Sequence, residues 1–125
     1  MSVLVDSSIW IEYFRGSAND SKLDFLIEEN LVVVNDLILA ELVPALHLRR
    51  QLKLIGLMRE IACPPLNIDW DDLIQMQIVC LRHGINKVGI PDLIIAQHAI
   101  QNHLELYSRD KHFKLIAQYV PLSLN

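Results

Sequence analysis

Ser2-Val3-Leu4-Val5-Asp6-Ser7-Ser8-Ile9-Trp10 opens the chain with a short, unbroken apolar run that ends on a carboxylate. An apolar run without polar alternation fits a strand covered on both faces, as in a parallel sheet. Residues 2–5 are predicted as that strand. Ser7 or Ser8 is then expected to cap a helix through Ile9-Trp10-Ile11-Glu12-Tyr13-Phe14, which Gly16 stops. Strand followed at once by helix sets an alternation that the rest of the chain repeats.

Asn19-Asp20-Ser21 opens a second helix carrying Leu23, Phe25, Leu26 and Ile27, and Leu31-Val32-Val33-Val34 is a β-branched second strand. A helix from about Asp36 follows, and Pro44 is expected to kink or break it. Another helix covers roughly Arg49 to Ala62, with Leu52, Ile55, Met58 and Ile61 at spacings of three, and Cys63-Pro64-Pro65 ends it. Asp69 with Asp72 resembles a capping box ahead of Leu73, Met76, Val79 and Cys80. Pro91 suits the first turn of a helix that includes Asp92 and Ile100. Leu104 to Tyr107 reads as a third strand, and Lys111 to Ala117 as a short helix. Tyr119 to Leu122 reads as a last strand, held at a sheet edge by Pro121. The alternation predicts an α/β fold, a central parallel sheet flanked by helices and joined by right-handed crossovers.

No repeat, low-complexity tract or linker divides residues 1–125, so a single domain is expected. A chain of this length buries about two-thirds of its unfolded surface. A hydrophobic content of 52% with 21% charged residues excludes a disordered chain. No apolar stretch approaches the roughly 20 residues that span a bilayer. The start lacks a basic segment and meets Asp6 early, so a cytoplasmic protein with no membrane association is expected. Cys63 and Cys80, without ligand-like spacing, read as reduced core thiols.

Four acids stand where apolar surroundings should not tolerate them. Asp6 ends the first strand. Glu41 interrupts Leu37-Ile38-Leu39-Ala40 and Leu42-Val43, with apolar neighbours around the helix and no evident solvent face. Asp92 opens Leu93-Ile94-Ile95-Ala96, and Asp110 follows the third strand. Taken singly, Asp6, Asp92 and Asp110 have plain readings as helix-start or turn residues. Taken together they differ. Ligand crevices of open parallel sheets lie beyond the carboxyl ends of the strands, which puts Asp6 and Asp110 on one rim. Two carboxylates about 5 Å apart repel by roughly 3 kcal/mol at an effective dielectric near 20. Four gathered carboxylates therefore call for a hard, oxygen-loving cation such as Mg²⁺ or Mn²⁺. Ser7, Ser8 and Ser108 are placed to hydrogen-bond a carboxylate beside it.

Other metal and phosphate chemistries find no support. The histidines show no H-x-x-x-H or H-E-x-x-H spacing for zinc, and the chain has no G-x-x-x-x-G-K loop. A haloacid-dehalogenase-type phosphatase needs an acid at position 8, which is Ser, and a dinucleotide site needs glycines where Ser7-Ser8-Ile9 stands. The formal charge of -4 opposes simple electrostatic nucleic-acid binding. With the four acids balanced by cations, the remainder sums to zero, and the basic residues can act locally. They form two groups, Arg49, Arg50, Lys53 and Arg59, and Arg109, Lys111, His112 and Lys114.

In their order, these segments resemble a known family. Val3-Leu4-Val5-Asp6-Ser7-Ser8-Ile9-Trp10 is similar to the opening of a PIN domain, and Leu39-Ala40-Glu41-Leu42 to its helical Glu motif. Gly89-Ile90-Pro91-Asp92-Leu93-Ile94-Ile95-Ala96 resembles its third acidic motif, and Ser108-Arg109-Asp110-Lys111-His112-Phe113 its last. Size and motif style further resemble the VapC-type toxins of bacterial toxin–antitoxin pairs. Asn35 departs from the Ser or Thr more usual shortly before the helical Glu. The resemblance implies a three-layer PIN-like fold and a Mg²⁺- or Mn²⁺-dependent endoribonuclease that hydrolyses RNA of the tRNA or ribosomal class. It implies Asp6, Glu41, Asp92 and Asp110 as catalytic and metal-binding residues; Arg109 and Lys111, on either side of Asp110, are the candidates for contact with phosphate. A homodimer and a cognate VapB-type antitoxin are implied as partners. The competing readings are a PIN nuclease of RNA processing and a non-catalytic module that binds cations or a basic peptide.

Overall fold

Three parallel strands form one sheet in the order β2-β1-β3. They are β1 (Val3–Val5), β2 (Val32–Val33) and β3 (Glu105–Tyr107), and the computed structural model describes residues 1–16 and 19–125. Among the described residues seven helices accompany them: α1 (Ser7–Arg15), α2 (Ser21–Glu28), α3 (Asp36–Leu48), α4 (Leu52–Met58), α5 (Trp70–Arg82), α6 (Ile90–Gln101) and α7 (His112–Ala117). Val3, Leu4 and Val5 are all buried, so both faces of the central strand are covered, as the unbroken apolar run requires. The register aligns Leu4 with Val33 on one side and with Leu106 on the other. Among the described residues no helix is long and apolar enough to cross a membrane.

Several local expectations are corrected by side-chain and backbone chemistry. Asp6, not Ser7 or Ser8, occupies the N-cap position of α1, and its side chain makes no capping bond. Gly16 ends α1 as expected, with a positive φ of 65° that costs glycine little. Pro44 does not break α3, which runs on to Leu48. Proline removes only the bond to the Ala40 carbonyl, and Ala40 is exposed, so water can take it. The helix expected over 49–62 is shorter, Leu52 to Met58, because Arg50 turns the chain with a positive φ of 57°. Leu52 is 64% exposed, so the apolar spacing of three there marks surface as well as core.

Residues 119–122 form no strand. Pro121 lacks an N–H, Leu122 N donates to Val120 O, and the edge of β3 is met further on, by Ser123 O and Asn125 N at Leu106. The two cysteines are free, but only Cys80 is a core thiol and Cys63 is exposed. Asp69 does cap α5, accepting from Asp72 N, while Asp72 accepts from Gln97 on α6 in place of completing a box. That pairing ties α5 to the helix that carries Asp92.

Candidate metal centre

Parallel pairing of β1 with β3 builds the first half of the site. Val5 is in register with Tyr107, so the next residues, Asp6 and Ser108, leave the sheet side by side. Asp6 N donates to Tyr107 O at 2.9 Å and fixes the two chain exits. The Asp6 carboxylate is buried, and its Oδ2 accepts from Ser8 Oγ at 2.9 Å and from Ser108 Oγ at 2.8 Å. The two hydroxyls are in turn held by backbone, Ser8 by Arg109 N and Ser108 by Asp110 N. Each serine therefore links the rotamer of Asp6 to the loop bearing Asp110. Ser7 takes no part in this network among the described residues.

The helices α3 and α6 bring the other acids. Asn35 is fully buried, caps α3 through Oδ1 to Ile38 N, and places its Nδ2 3.2 Å from His98 Nδ1 on α6. Glu41 lies six residues beyond Asn35, and Asp92 six before His98, so this buried pair fixes the two acid-bearing helices against each other. Glu41 is exposed, contrary to the expectation of an apolar surround. Only Ile38, Leu42 and Leu46 of α3 are buried, one narrow stripe, and the remaining apolar residues of the helix face outward or partly so. Partial burial nevertheless pushes the Glu41 pKa up, and the charges of Asp6 and Asp92 push it further. Burial is also the main cause raising Asp92, followed by the Asp110 charge. The Gly89 N–H and His112 pull it back, and Asp6 adds a smaller push upward. Asp6, Glu41, Asp92 and Asp110 thus share one electrostatic neighbourhood.

The tightest grouping contains a residue that spacing rules did not single out. One ligand atom each from Asp92, Asp110 and His112 lies within 4.8 Å of the other two. The His112 backbone N–H donates to Asp110 Oδ1 at 2.9 Å, which ties the start of α7 to that carboxylate. His112 Nδ1 is 3.3 Å from Asp110 Oδ1 and 3.6 Å from Asp92 Oδ2, yet this buried nitrogen makes no hydrogen bond. Screening histidines for zinc spacing passed over it. Its position two residues after Asp110 was the available signal. Asp6 and Glu41 stand outside this closest triple.

Arg109 pairs with a carboxylate that no local pattern announced. Its guanidinium lies 3.7 Å from Asp20 Oδ2, and the side chain remains 47% exposed. Asp20 is buried, caps α2 through Leu23 N at 2.9 Å, and accepts from Tyr107 Oη at 2.8 Å. Burial and this bond push the Tyr107 pKa up to about 12, so the phenol remains a donor to Asp20. Lys111 is exposed at the head of α7.

A family model described as "PIN domain" matches residues 3–119. Among solved structures, VapBC2 from Rickettsia felis bound to a DNA fragment from its promoter is 19% identical, with a TM-score of 0.79, covering 100% of this chain and 98% of that one. DNA-bound VapBC from Salmonella typhimurium is 14% identical at a TM-score of 0.77, covering 100% and 97%. VapC20 from Mycobacterium tuberculosis, described as a sarcin-ricin-loop-cleaving toxin, is 19% identical at 0.63, covering 98% and 99%. No curated protein matches the sequence.

Proposed function

Because the chain belongs to the PIN-domain family, we propose that it is a divalent-cation-dependent endoribonuclease, the toxin of a VapBC-type pair, acting in the cytoplasm. The observation that carries this reading is the meeting of Asp92, Asp110 and His112 donors within 4.8 Å, beside the strand ends that carry Asp6. The donor set fits a cation. Two carboxylates are brought together with a buried nitrogen that makes no hydrogen bond, and burial, reinforced by neighbouring carboxylates, raises the pKa values of Asp92 and Glu41. Asp6, Asp92 and Asp110 would hold Mg²⁺ or Mn²⁺, with Glu41 facing Asp6 and Asp92 at the edge of the centre.

Such an ion supplies charge neutralisation for the scissile phosphodiester and acidifies water for in-line attack. The chain's own residues divide the remaining work. Ser8 and Ser108 lock Asp6 so that its carboxylate needs no reorganisation as charge develops. Glu41, exposed and with a raised pKa, is suited to take the proton of the attacking water. Arg109 and Lys111, solvent-accessible on either side of Asp110, would contact the RNA backbone.

The partner assignment draws support from an apolar groove of about 410 Å³, lined by Trp10, Tyr13, Phe14, Leu54, Leu57 and Met58. Together with the exposed Leu48 and Leu52, it offers surface for a cognate VapB-type antitoxin or a second copy of the chain. The nuclease reading is tested on purified protein and structured tRNA or ribosomal RNA, with Mn²⁺, Mg²⁺ or EDTA. Cleavage that persists in EDTA, or in Asp6→Asn, refutes it. A short adjoining reading frame for a small DNA-binding protein is expected; expression of this chain with and without it tests the toxin role, and unimpaired growth of cells expressing only this chain refutes this part alone.

A further inference from the structure

The imidazole of His112 decides which cation the centre prefers. We propose that His112 Nδ1 is a third protein donor to the ion held by Asp92 and Asp110, and that the centre consequently selects Mn²⁺ over Mg²⁺. This rests on the reading of these acids as a cation site.

Three observations lead there. First, Nδ1 is buried and lies 3.3 and 3.6 Å from two carboxylates, yet it is aligned to hydrogen-bond neither. A histidine serving as an ion-pair partner would aim its N–H at one oxygen, because an unmade bond at a buried nitrogen is costly. A nitrogen directed between two carboxylates is instead placed as the third corner of a donor triangle. Second, the separations suit a single small ion. Bonds of about 2.1 Å set neighbouring donors about 3 Å apart; His112 Nδ1, at 3.3 and 3.6 Å from the two carboxylates, is already close to that, and the carboxylates, within 4.8 Å, would draw in around the ion. Third, the backbone beneath the ring is already tied to the site, since the His112 main-chain N–H donates to the carboxylate of Asp110 at 2.9 Å. Binding through Nδ1 then needs no movement of the main chain at His112.

The consequence follows from donor chemistry. Mg²⁺ takes oxygen ligands, retains its waters and gains little from imidazole. Affinity for nitrogen-containing sites rises from Mn²⁺ along the first transition row, and imidazole is a good donor there. An all-carboxylate centre would leave the two ions closer in affinity.

The test uses the full chain with MnCl₂ and MgCl₂, first without any substitution. Pulsed EPR of the Mn²⁺-loaded protein is expected to show coupling to a ¹⁴N nucleus. Titration calorimetry is expected to show Mn²⁺ binding about tenfold or more tightly than Mg²⁺. His112→Ala should lower Mn²⁺ affinity about tenfold or more and Mg²⁺ affinity by no more than about twofold. His112→Asp should bind both ions without the Mn²⁺ preference. Absence of nitrogen coupling in the unsubstituted protein, or equal loss of both ions in His112→Ala, overturns the proposal. RNA cleavage is not among these measurements. Nitrogen coupling without cleavage would therefore count against the nuclease reading alone, and cleavage without coupling against His112 alone.

Discussion

Asp92→Asn should make the protein more stable without divalent cations and less stable with them. Asp92 and Asp110 present oxygens within 4.8 Å, which corresponds to a repulsion of about 3 kcal/mol at an effective dielectric of 20. Their side chains are 23% and 35% exposed, and His112 lies between them, so solvent screening reduces this to about 1 kcal/mol. Removing the charge also lifts the burial penalty on Asp92. Against that stands a lost acid in the first turn of α6, worth about 0.5 kcal/mol. The net gain in EDTA is about 1 kcal/mol, or about 4 °C in Tm for a chain of this size.

With Mn²⁺ at one hundred times its dissociation constant, the unsubstituted protein gains about 2.7 kcal/mol, about 10 °C on the same scale. Asp92→Asn should gain under 3 °C, about a third of that. Melting curves in EDTA and across an MnCl₂ series would show the two proteins exchanging order. A variant that melts lower in EDTA, or that keeps the full Mn²⁺ response, would refute the argument that Asp92 is an uncompensated charge awaiting a cation.

Glu41→Gln should lower kcat for RNA cleavage about 100-fold or more with Mn²⁺ affinity changed only a few-fold. Equal losses of rate and of ion binding would make Glu41 a ligand and not a base. Asp20→Ala removes the cap of α2 and the acceptor of Tyr107 at once, and should cost about 2 kcal/mol, seen as a Tm lower by about 8 °C. Tyr107→Phe should cost about half as much. A Tm unchanged in both would show that Asp20 does not tie α2 to β3. Burial holds the His98 pKa down against the pull of the Pro64 and Pro65 carbonyls. The folded protein thus binds this proton less readily than the unfolded chain, and stability is lost as pH falls below about 6.5, the unfolded value. Glu41 and Asp92 act in the opposite sense, since their raised pKa values make a penalty at neutral pH that fades as pH falls through them. In a Glu41→Gln, Asp92→Asn double variant these two groups no longer oppose the His98 effect, and Tm should decline from pH 7.5 to 5.5. A flat profile there would count against it.

The sequence was most legible where one physical requirement dictated one residue type. The apolar run of β1 could only be a doubly covered strand, and Gly16 and Pro91 mark helix ends through their own backbone limits. Legibility failed where a residue answers to two environments. Pro44 is a helix breaker only if the freed carbonyl has nowhere to go, and an exposed Ala40 gives it water. The leucines of α3 and α4 look like core by composition, yet Leu48 is 84% exposed. Composition records apolar surface, not what covers it.

Glu41 shows the same division inside the candidate site. Apolar neighbours made it conspicuous, but the premise that they bury it was wrong, because α3 turns only its Ile38–Leu42–Leu46 stripe inward. What makes Glu41 unusual is partial burial and then the pair of charges opposite it, Asp6 and Asp92, and neither of those is near it in the chain. The register of β1 with β3 explains why no local pattern could reveal that closeness. One step of slip along β3 would part Asp6 from Ser108, turn the alternate side chains of the strand to the wrong face and carry Asp110 away. The hydrogen bonds that prevent such a slip join residues about a hundred positions apart, Ser8 with Arg109 N and Ser108 with Asp6. A short motif can name the acids. Only pairing at that distance sets the spacing on which cation chemistry depends.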